Sequence, residues 1–234
     1  MSWRTLAVVC GLGLVVASQT TQVAPVTAMA QRPVVIATLP CQPSLQSTSS
    51  GFVIDNETVV TVAHAIYETR DFAVRDSTGR WFRPEILHMD LDRDLAVLRI
   101  PGLRASPMAT RVAGAGDAVE MVEGAASGTT EGAVLRRVRL TTESIGDLER
   151  KTARSGYEMS VAIRGGDSGA AIIDQDENLI GVVFARSTRR EAAWVTSVSE
   201  ILSVLDNQGV PSWECENPSG VELILEAPEL DEKP

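Results

Sequence analysis

The stretch Gly51-Phe52-Val53-Ile54-Asp55-Asn56-Glu57-Thr58-Val59-Val60-Thr61-Val62-Ala63-His64 decides how the rest of the chain is read. Two short runs rich in branched and aromatic residues, Gly51 to Ile54 and Thr58 to Val62, flank Asp55-Asn56. Branched side chains are stiff at the first torsion and pack well on a pleated surface, whereas Asp and Asn side chains bond their own backbone and favour a turn. The spacing therefore predicts a two-stranded hairpin, and its second strand runs directly into a small residue and a histidine.

The same alternation of short branched runs and turn residues extends from Thr48 to Val198, without long helical periodicity. Further strands are expected at Val34 to Leu39, Phe72 to Arg75, Trp81 to Leu87 and Leu95 to Ile100, with a turn at Ser77-Thr78-Gly79. Pro101 to Thr110, bearing proline, glycine and serine without period, predicts a crossing between two halves. A second series follows at Ala118 to Glu123, Ala133 to Thr141, Tyr157 to Ile163, Ala170 to Asp174, Leu179 to Ala185 and Ala193 to Val198. Ser199 to Leu205 has helical spacing, with Ser197 or Ser199 available as its cap. The polar segment Thr142 to Gly156 has no readable place. The expected fold class is all-β: two six-stranded antiparallel β-barrels with a short C-terminal helix, since closure removes exposed sheet edges. The expected division is a signal peptide at 1–30, an N-terminal barrel at 31–110, a C-terminal barrel with its helix at 111–215, and an acidic, disordered tail at 216–234, in which only Val221 to Leu225 has strand character.

With 234 residues and 44% hydrophobic content, the chain buries a real core. Its net charge of -10 argues against nucleic acid as a partner, which needs a basic surface to release counterions. Arg4 precedes an uncharged apolar run from Leu6 to Ala17, followed by Ala28-Met29-Ala30, the pattern of a cleavable secretory signal. The run is well short of the roughly 20 residues that span a bilayer, so no stable membrane span is expected after cleavage and the mature chain is secreted or periplasmic. Removal before Gln31 takes Cys10 away and leaves Cys41 and Cys215. Two cysteines in an exported chain invite a disulfide, the alternative being two buried thiols. The bridge would stabilise by about 4 to 5 kcal/mol in the chain-entropy model.

Three short motifs follow in order: Thr61-Val62-Ala63-His64, Arg93-Asp94-Leu95-Ala96-Val97-Leu98 and Gly165-Gly166-Asp167-Ser168-Gly169. Each alone is unspecific: a structural histidine, a strand entry, a tight turn. Together they supply what acyl transfer needs, a nucleophile, a base that takes its proton and an acceptor that fixes the base's tautomer. Of the two histidines, His88 follows a strand without a small-residue context and reads as structural. His64 is then the base, Asp94 its orienting group and Ser168 the nucleophile. Glycines around Ser168 permit a turn whose main-chain N–H groups, those of Gly166 and Ser168, form an oxyanion hole. Asp167 reads as a holder of the loop. No metal or cofactor is implied, because one histidine is committed and the cysteines are expected to pair.

These motifs, with Ser50-Gly51-Phe52-Val53-Ile54 ahead of the histidine strand, resemble the trypsin-like, chymotrypsin-fold serine peptidases, in particular compact bacterial exported members, over residues 45 to 206. The resemblance implies an endopeptidase acting on protein or peptide substrates from a site between two barrels. It also places the floor of the primary pocket at Ala162, with Ile163 beside it and Phe184 to Arg186 as a wall. An uncharged floor cannot pair a buried basic side chain, so small or medium apolar residues are expected ahead of the cleaved bond, Arg186 attracting an acidic residue being the alternative. The chain departs from the family at Gly169-Ala170-Ala171, where Gly-Gly-Pro is usual. It also lacks an Ile-Val-Gly-Gly start near Gln31, so activity without a zymogen cleavage is expected. A non-catalytic peptide-binding module and an esterase with the same three residues are the competing readings.

Overall fold

Residues 32–41, 47–124, 128–187 and 190–215 are described by the computed structural model. Strand β1 (Pro33–Pro40) pairs with β2 (Ser47–Asp55), which turns at Asn56 and Glu57 into β3 (Thr58–Thr61), the expected hairpin. Phe52 faces Val60 and Val53 faces Val59 across it, and the Asp55 carboxylate accepts the Asn56 N–H at the turn. Strands β4 (Thr69–Arg75), β5 (Trp81–Phe82), β6 (Glu85–Asp90) and β7 (Leu95–Arg99) complete an antiparallel seven-stranded sheet of order β5-β4-β1-β2-β3-β7-β6. The single strand expected from Trp81 to Leu87 is thus two. The break falls at Arg83-Pro84, where proline has no N–H for the ladder.

The second half closes into a six-stranded barrel of order β10-β13-β12-β11-β8-β9. Its strands are β8 (Ala118–Val122), β9 (Thr129–Ser144), β10 (Asp147–Met159), β11 (Ala171–Ile173), β12 (Leu179–Arg186) and β13 (Ala193–Ser197). The segment that sequence alone does not place, Thr142 to Gly156, is the outer part of the β9–β10 hairpin. It hides because its covered face carries polar residues, Thr142, Ser144, Thr152 and Arg154, so the apolar alternation that marks a half-buried strand is missing. The strand expected from Tyr157 to Ile163 ends at Met159, and Ser160 bonds Ala133 as the chain leaves toward the nucleophile loop. Helix α1 (Val198–Leu205) starts at Ser197, whose side chain accepts the Ser199 N–H.

Among the described residues apolar side chains collect in three large clusters, beside a small one of Leu39 and Ala73 under Trp81. One cluster fills the seven-stranded sheet around Ile36, Val59, Val74 and Leu98, and another fills the barrel around Met121, Tyr157, Ile172 and Val195. The third is shared: Phe52, Val60, Leu95 and Val97 meet Val122, Leu179 and Val182 from the barrel and Val198, Ile201 and Val204 from α1. Each fully buried side chain of this size contributes about 1.5–3 kcal/mol. The two sheets therefore stand in one fixed relation.

Cys41 and Cys215 are joined in a disulfide, with Cα atoms 4.9 Å apart across 174 residues of sequence. Next to it the Trp213 ring meets Tyr67 edge-on and its Nε1 donates to the Thr69 carbonyl. Among the described residues no helix is long and apolar enough to cross a membrane. The expected signal peptide at 1–30 and the tail from 216, with Val221 to Leu225, lie outside the described residues. Reducing the disulfide is expected to lower unfolding free energy by about 4 to 5 kcal/mol, read from urea midpoints with and without reductant.

Candidate active site

His64 lies in a single 3-10 turn (Ala63–Ala65) immediately after β3, and Asp94 immediately precedes β7. Since β3 and β7 are neighbours, with Thr61 opposite Ala96, the ladder itself brings the two side chains together. Asp94 Oδ2 lies 2.8 Å from His64 Nδ1, and Asp94 Oδ1 accepts the His64 backbone N–H at 2.9 Å. A carboxylate has no proton to give, so Nδ1 is the donor and Nε2 is left with its lone pair for an incoming proton. The carboxylate side chain is 8% exposed and the imidazole 38%, so the pair is buried at the acidic end and open at the basic end. Asp94 adopts φ 54°, a left-handed conformation that a non-glycine residue holds only where its surroundings dictate it.

Ser168 arrives from the barrel, on the loop between β10 and β11, and its main chain is fastened to the first sheet. Its carbonyl accepts the Ser50 N–H at 2.8 Å, and the Ser50 hydroxyl donates to the Gly166 carbonyl at 2.9 Å. The Ser50 carbonyl in turn accepts from Thr61 Oγ1 at 2.7 Å, three residues before His64. Ser50 is fully buried and so acts as the joint between the histidine strand and the nucleophile loop. Gly166 takes φ 97° and Gly169 φ 87°; a Cβ on Gly169 would meet the Ser50 carbonyl oxygen at 1.9 Å. The N–H groups of Gly166 and Ser168 donate to no acceptor among the described residues, whereas those of Asp167, Gly169 and Ala170 bond Arg164, Val183 and Asp167. The two free donors are those expected for an oxyanion hole. The Ser168 hydroxyl has no hydrogen-bond partner among the described residues, and in unliganded sites such bonds often form only with substrate.

Asp167 is buried and accepts the Arg164 N–H, without an ion pair among the described residues. Burial holds its carboxyl above the usual range, with Glu123 adding to this and the Arg164 N–H and charge opposing it. Of the expected pocket residues, Ala162 is exposed, Ile163 packs on the barrel core, Phe184 is half-buried and Arg186 is exposed. The Phe184 ring carries the Arg154 guanidinium 4.2 Å from its centroid, a partner no sequence pattern announced. Ser50 likewise reads in the sequence only as part of a strand; a serine on an apolar strand beside a glycine is its one signal. His88 bonds the Gly209 carbonyl through Nδ1, away from this constellation.

Gly169→Ala is expected to abolish activity and lower stability, because neither the Ser50 carbonyl nor the positive φ tolerates a Cβ; activity assays beside urea unfolding read both. Asp167→Asn keeps an acceptor for Arg164 and removes a carboxyl whose pKa is raised on folding. The stability cost of that carboxyl is absent below its unfolded pKa of about 3.9 and grows as pH rises toward the folded value. Urea midpoints at pH 4 and 7 are expected to show the Asn variant gaining on the wild type as pH increases.

Residues 49–182 match the trypsin-like peptidase domain family. The chain is 30% identical over 203 residues to the serine proteases MT3772 and Rv3671c of Mycobacterium tuberculosis, strains CDC 1551 and H37Rv, covering 79% of this chain. It spans about half the length of these curated relatives, 50% of each. Among solved structures it is similar to the active form of the M. tuberculosis Rv3671c protease, with a TM-score of 0.70 and 25% identity over 79% of this chain and 84% of that one. The inactive form of the same protease matches with a TM-score of 0.66 and 25% identity over 78% and 91%. With its sheet and barrel, its histidine and aspartate at the ends of adjacent strands and its glycine-lined serine loop, the chain belongs to the trypsin-like peptidase family.

Proposed function

We propose that this chain is an exported serine endopeptidase, in which Ser168 is the nucleophile, His64 the general base and Asp94 the group that orients it. The observation that carries the reading is the two-point hold of Asp94 on His64, next to a serine loop that Ser50 fastens to the same sheet. In the proposed reaction Ser168 Oγ forms a bond to the substrate carbonyl carbon as His64 Nε2 takes its proton. The resulting oxyanion receives the N–H groups of Gly166 and Ser168. His64 returns the proton to the leaving amine, the C–N bond breaks, and the acyl group stays on Ser168. Water, deprotonated by His64, then bonds the acyl carbon, the ester bond to Ser168 Oγ breaks, and His64 returns the proton to Oγ as the acid leaves.

The pocket expectation carries over as part of the proposal: Ala162 and Ile163 offer no charge, so small or medium apolar residues suit the position before the cut. The disulfide supports export to a secreted or periplasmic setting, because oxidising compartments sustain such bonds. Protein or peptide is the partner, and a net charge of -10 makes nucleic acid a poor one.

Residues 31 to 234 treated with a fluorophosphonate are expected to gain one covalent label at Ser168 and to cleave an unfolded protein, whereas Ser168→Ala does neither. A folded wild type that takes no label would sink the catalytic reading and favour the peptide-binding module, for which the unpartnered Ser168 hydroxyl is the motivating observation. Label without peptide cleavage would favour an esterase.

A further inference from the structure

Among the described residues both Asp94 carboxylate oxygens accept from His64 alone, so the turn from which Asp94 projects is held by other groups. That turn is braced from the other sheet. The Ile145 N–H, at the tip of the β9–β10 hairpin, donates to the Leu91 carbonyl at 3.1 Å, and the Leu91 side chain lies where a Cβ on Gly146 would meet it at 2.6 Å. The Asp92 carboxylate accepts from Ser144 Oγ at 2.8 Å and from Arg150. The Asp92 carbonyl accepts from Thr152 Oγ1 at 2.8 Å and from Arg154 Nη1 at 3.1 Å. Arg93 bonds Asp90 and Glu200, and Glu200 accepts the Ser155 N–H from β10.

Arg154 is the centre of this arrangement. It is 3% exposed, stacks on Phe184 from β12, and bonds Thr142 on β9 as well as Asp92. The charges that face it are the carboxylates of Asp94, Glu200 and Asp90, which oppose the lowering of its pKa by burial. A buried arginine that reaches the turn of one sheet from a hairpin of the other is costly to keep unless its placement has a use.

The geometry points to the β9–β10 hairpin as a clamp on the Asp94 turn, with Arg154 as a positioning residue that fixes the Asp92 carbonyl two residues before Asp94. Through that carbonyl the clamp holds Asp94 in its left-handed conformation and so sets how its carboxylate meets His64. The inference rests on the triad reading above for its kinetic consequences, but not for its effect on the His64 ring.

The test compares wild type with Arg154→Met, Arg154→Lys and Arg150→Ala in the intact, disulfide-bonded chain. Two readouts are used: kcat and KM on a peptide substrate, and histidine ring NMR signals. The chain has only two histidines, so His88 serves as the internal reference. Arg154→Met is expected to lower kcat by about 10- to 100-fold with KM within about twofold. The His64 signals should shift while those of His88 stay. Arg154→Lys, which keeps a donor for the Asp92 carbonyl, should bring the His64 signals back toward wild type and recover part of kcat. Arg150→Ala, at a more exposed contact, should fold normally and lower kcat by about threefold through Asp92.

Wild-type kcat and His64 signals in Arg154→Met would overturn the clamp. So would a loss of kcat shared by the Met and Lys variants with the His64 signals unmoved, since that is what simple structural support predicts. Should Arg154→Met fail to fold, wild-type kinetics and His64 signals in Arg150→Ala would overturn it instead. If the wild type shows no Ser168-dependent hydrolysis, the peptidase reading fails, and the His64 signals still decide the clamp.

Discussion

One carboxylate serving one histidine twice is the constraint on which this site depends. By taking both the backbone N–H and the ring Nδ1 of His64, Asp94 fixes where the imidazole is and how it is turned. The two residues flank the paired strands β3 and β7, so their separation is set by a hydrogen-bonded ladder, among the stiffest elements a chain can build. What a ladder within one sheet cannot set is the distance to a serine carried by the other. That task falls to Ser50 on the nucleophile side, through its N–H and hydroxyl, and to the β9–β10 hairpin on the aspartate side. Each of the two sheets thus reaches into the other's share of the site.

These polar links act over short distances and are useful only because the sheets do not slide. The shared apolar cluster around Phe52, Leu95, Leu179 and Ile201 prevents sliding, and α1 is built into it through Val198, Ile201 and Val204. Ser197, which caps α1, also lies within hydrogen-bond range of the Tyr157 hydroxyl in the barrel core, so the helix is registered by polar contact as well as by packing. Through Glu200, which takes Arg93 beside Asp94, the same helix also reaches the aspartate turn.

Much of this was legible from local chemistry. The Asp55-Asn56 turn, the branched runs beside it and the serine cap of α1 act over a few residues, where propensity and capping decide the outcome. The three motifs were legible as a set because their residue types and order make chemical sense together. Other features depend on relations that no short window contains. Pro84 splits a strand only if its N–H would have entered a ladder. The long hairpin buries polar residues on its covered face, so the apolar periodicity of two that reveals a strand is absent. Arg154 is written in the sequence as one more cation among polar residues, and only the fold makes it buried. The left-handed backbone of Asp94 is similarly invisible, since it is imposed by partners from another sheet.

The disulfide has a mechanical side. Cys41 follows β1 and Cys215 follows α1, so everything from β2 to the helix lies within one covalent ring. Tension applied to segments outside that ring passes from one sulfur to the other and bypasses the peptide chain that carries His64, Asp94 and Ser168. Only β1, hydrogen-bonded between β2 and β4, lies in the path of such a load. A pull on the ends would therefore load this internal strand before any part of the chain that carries His64, Asp94 and Ser168.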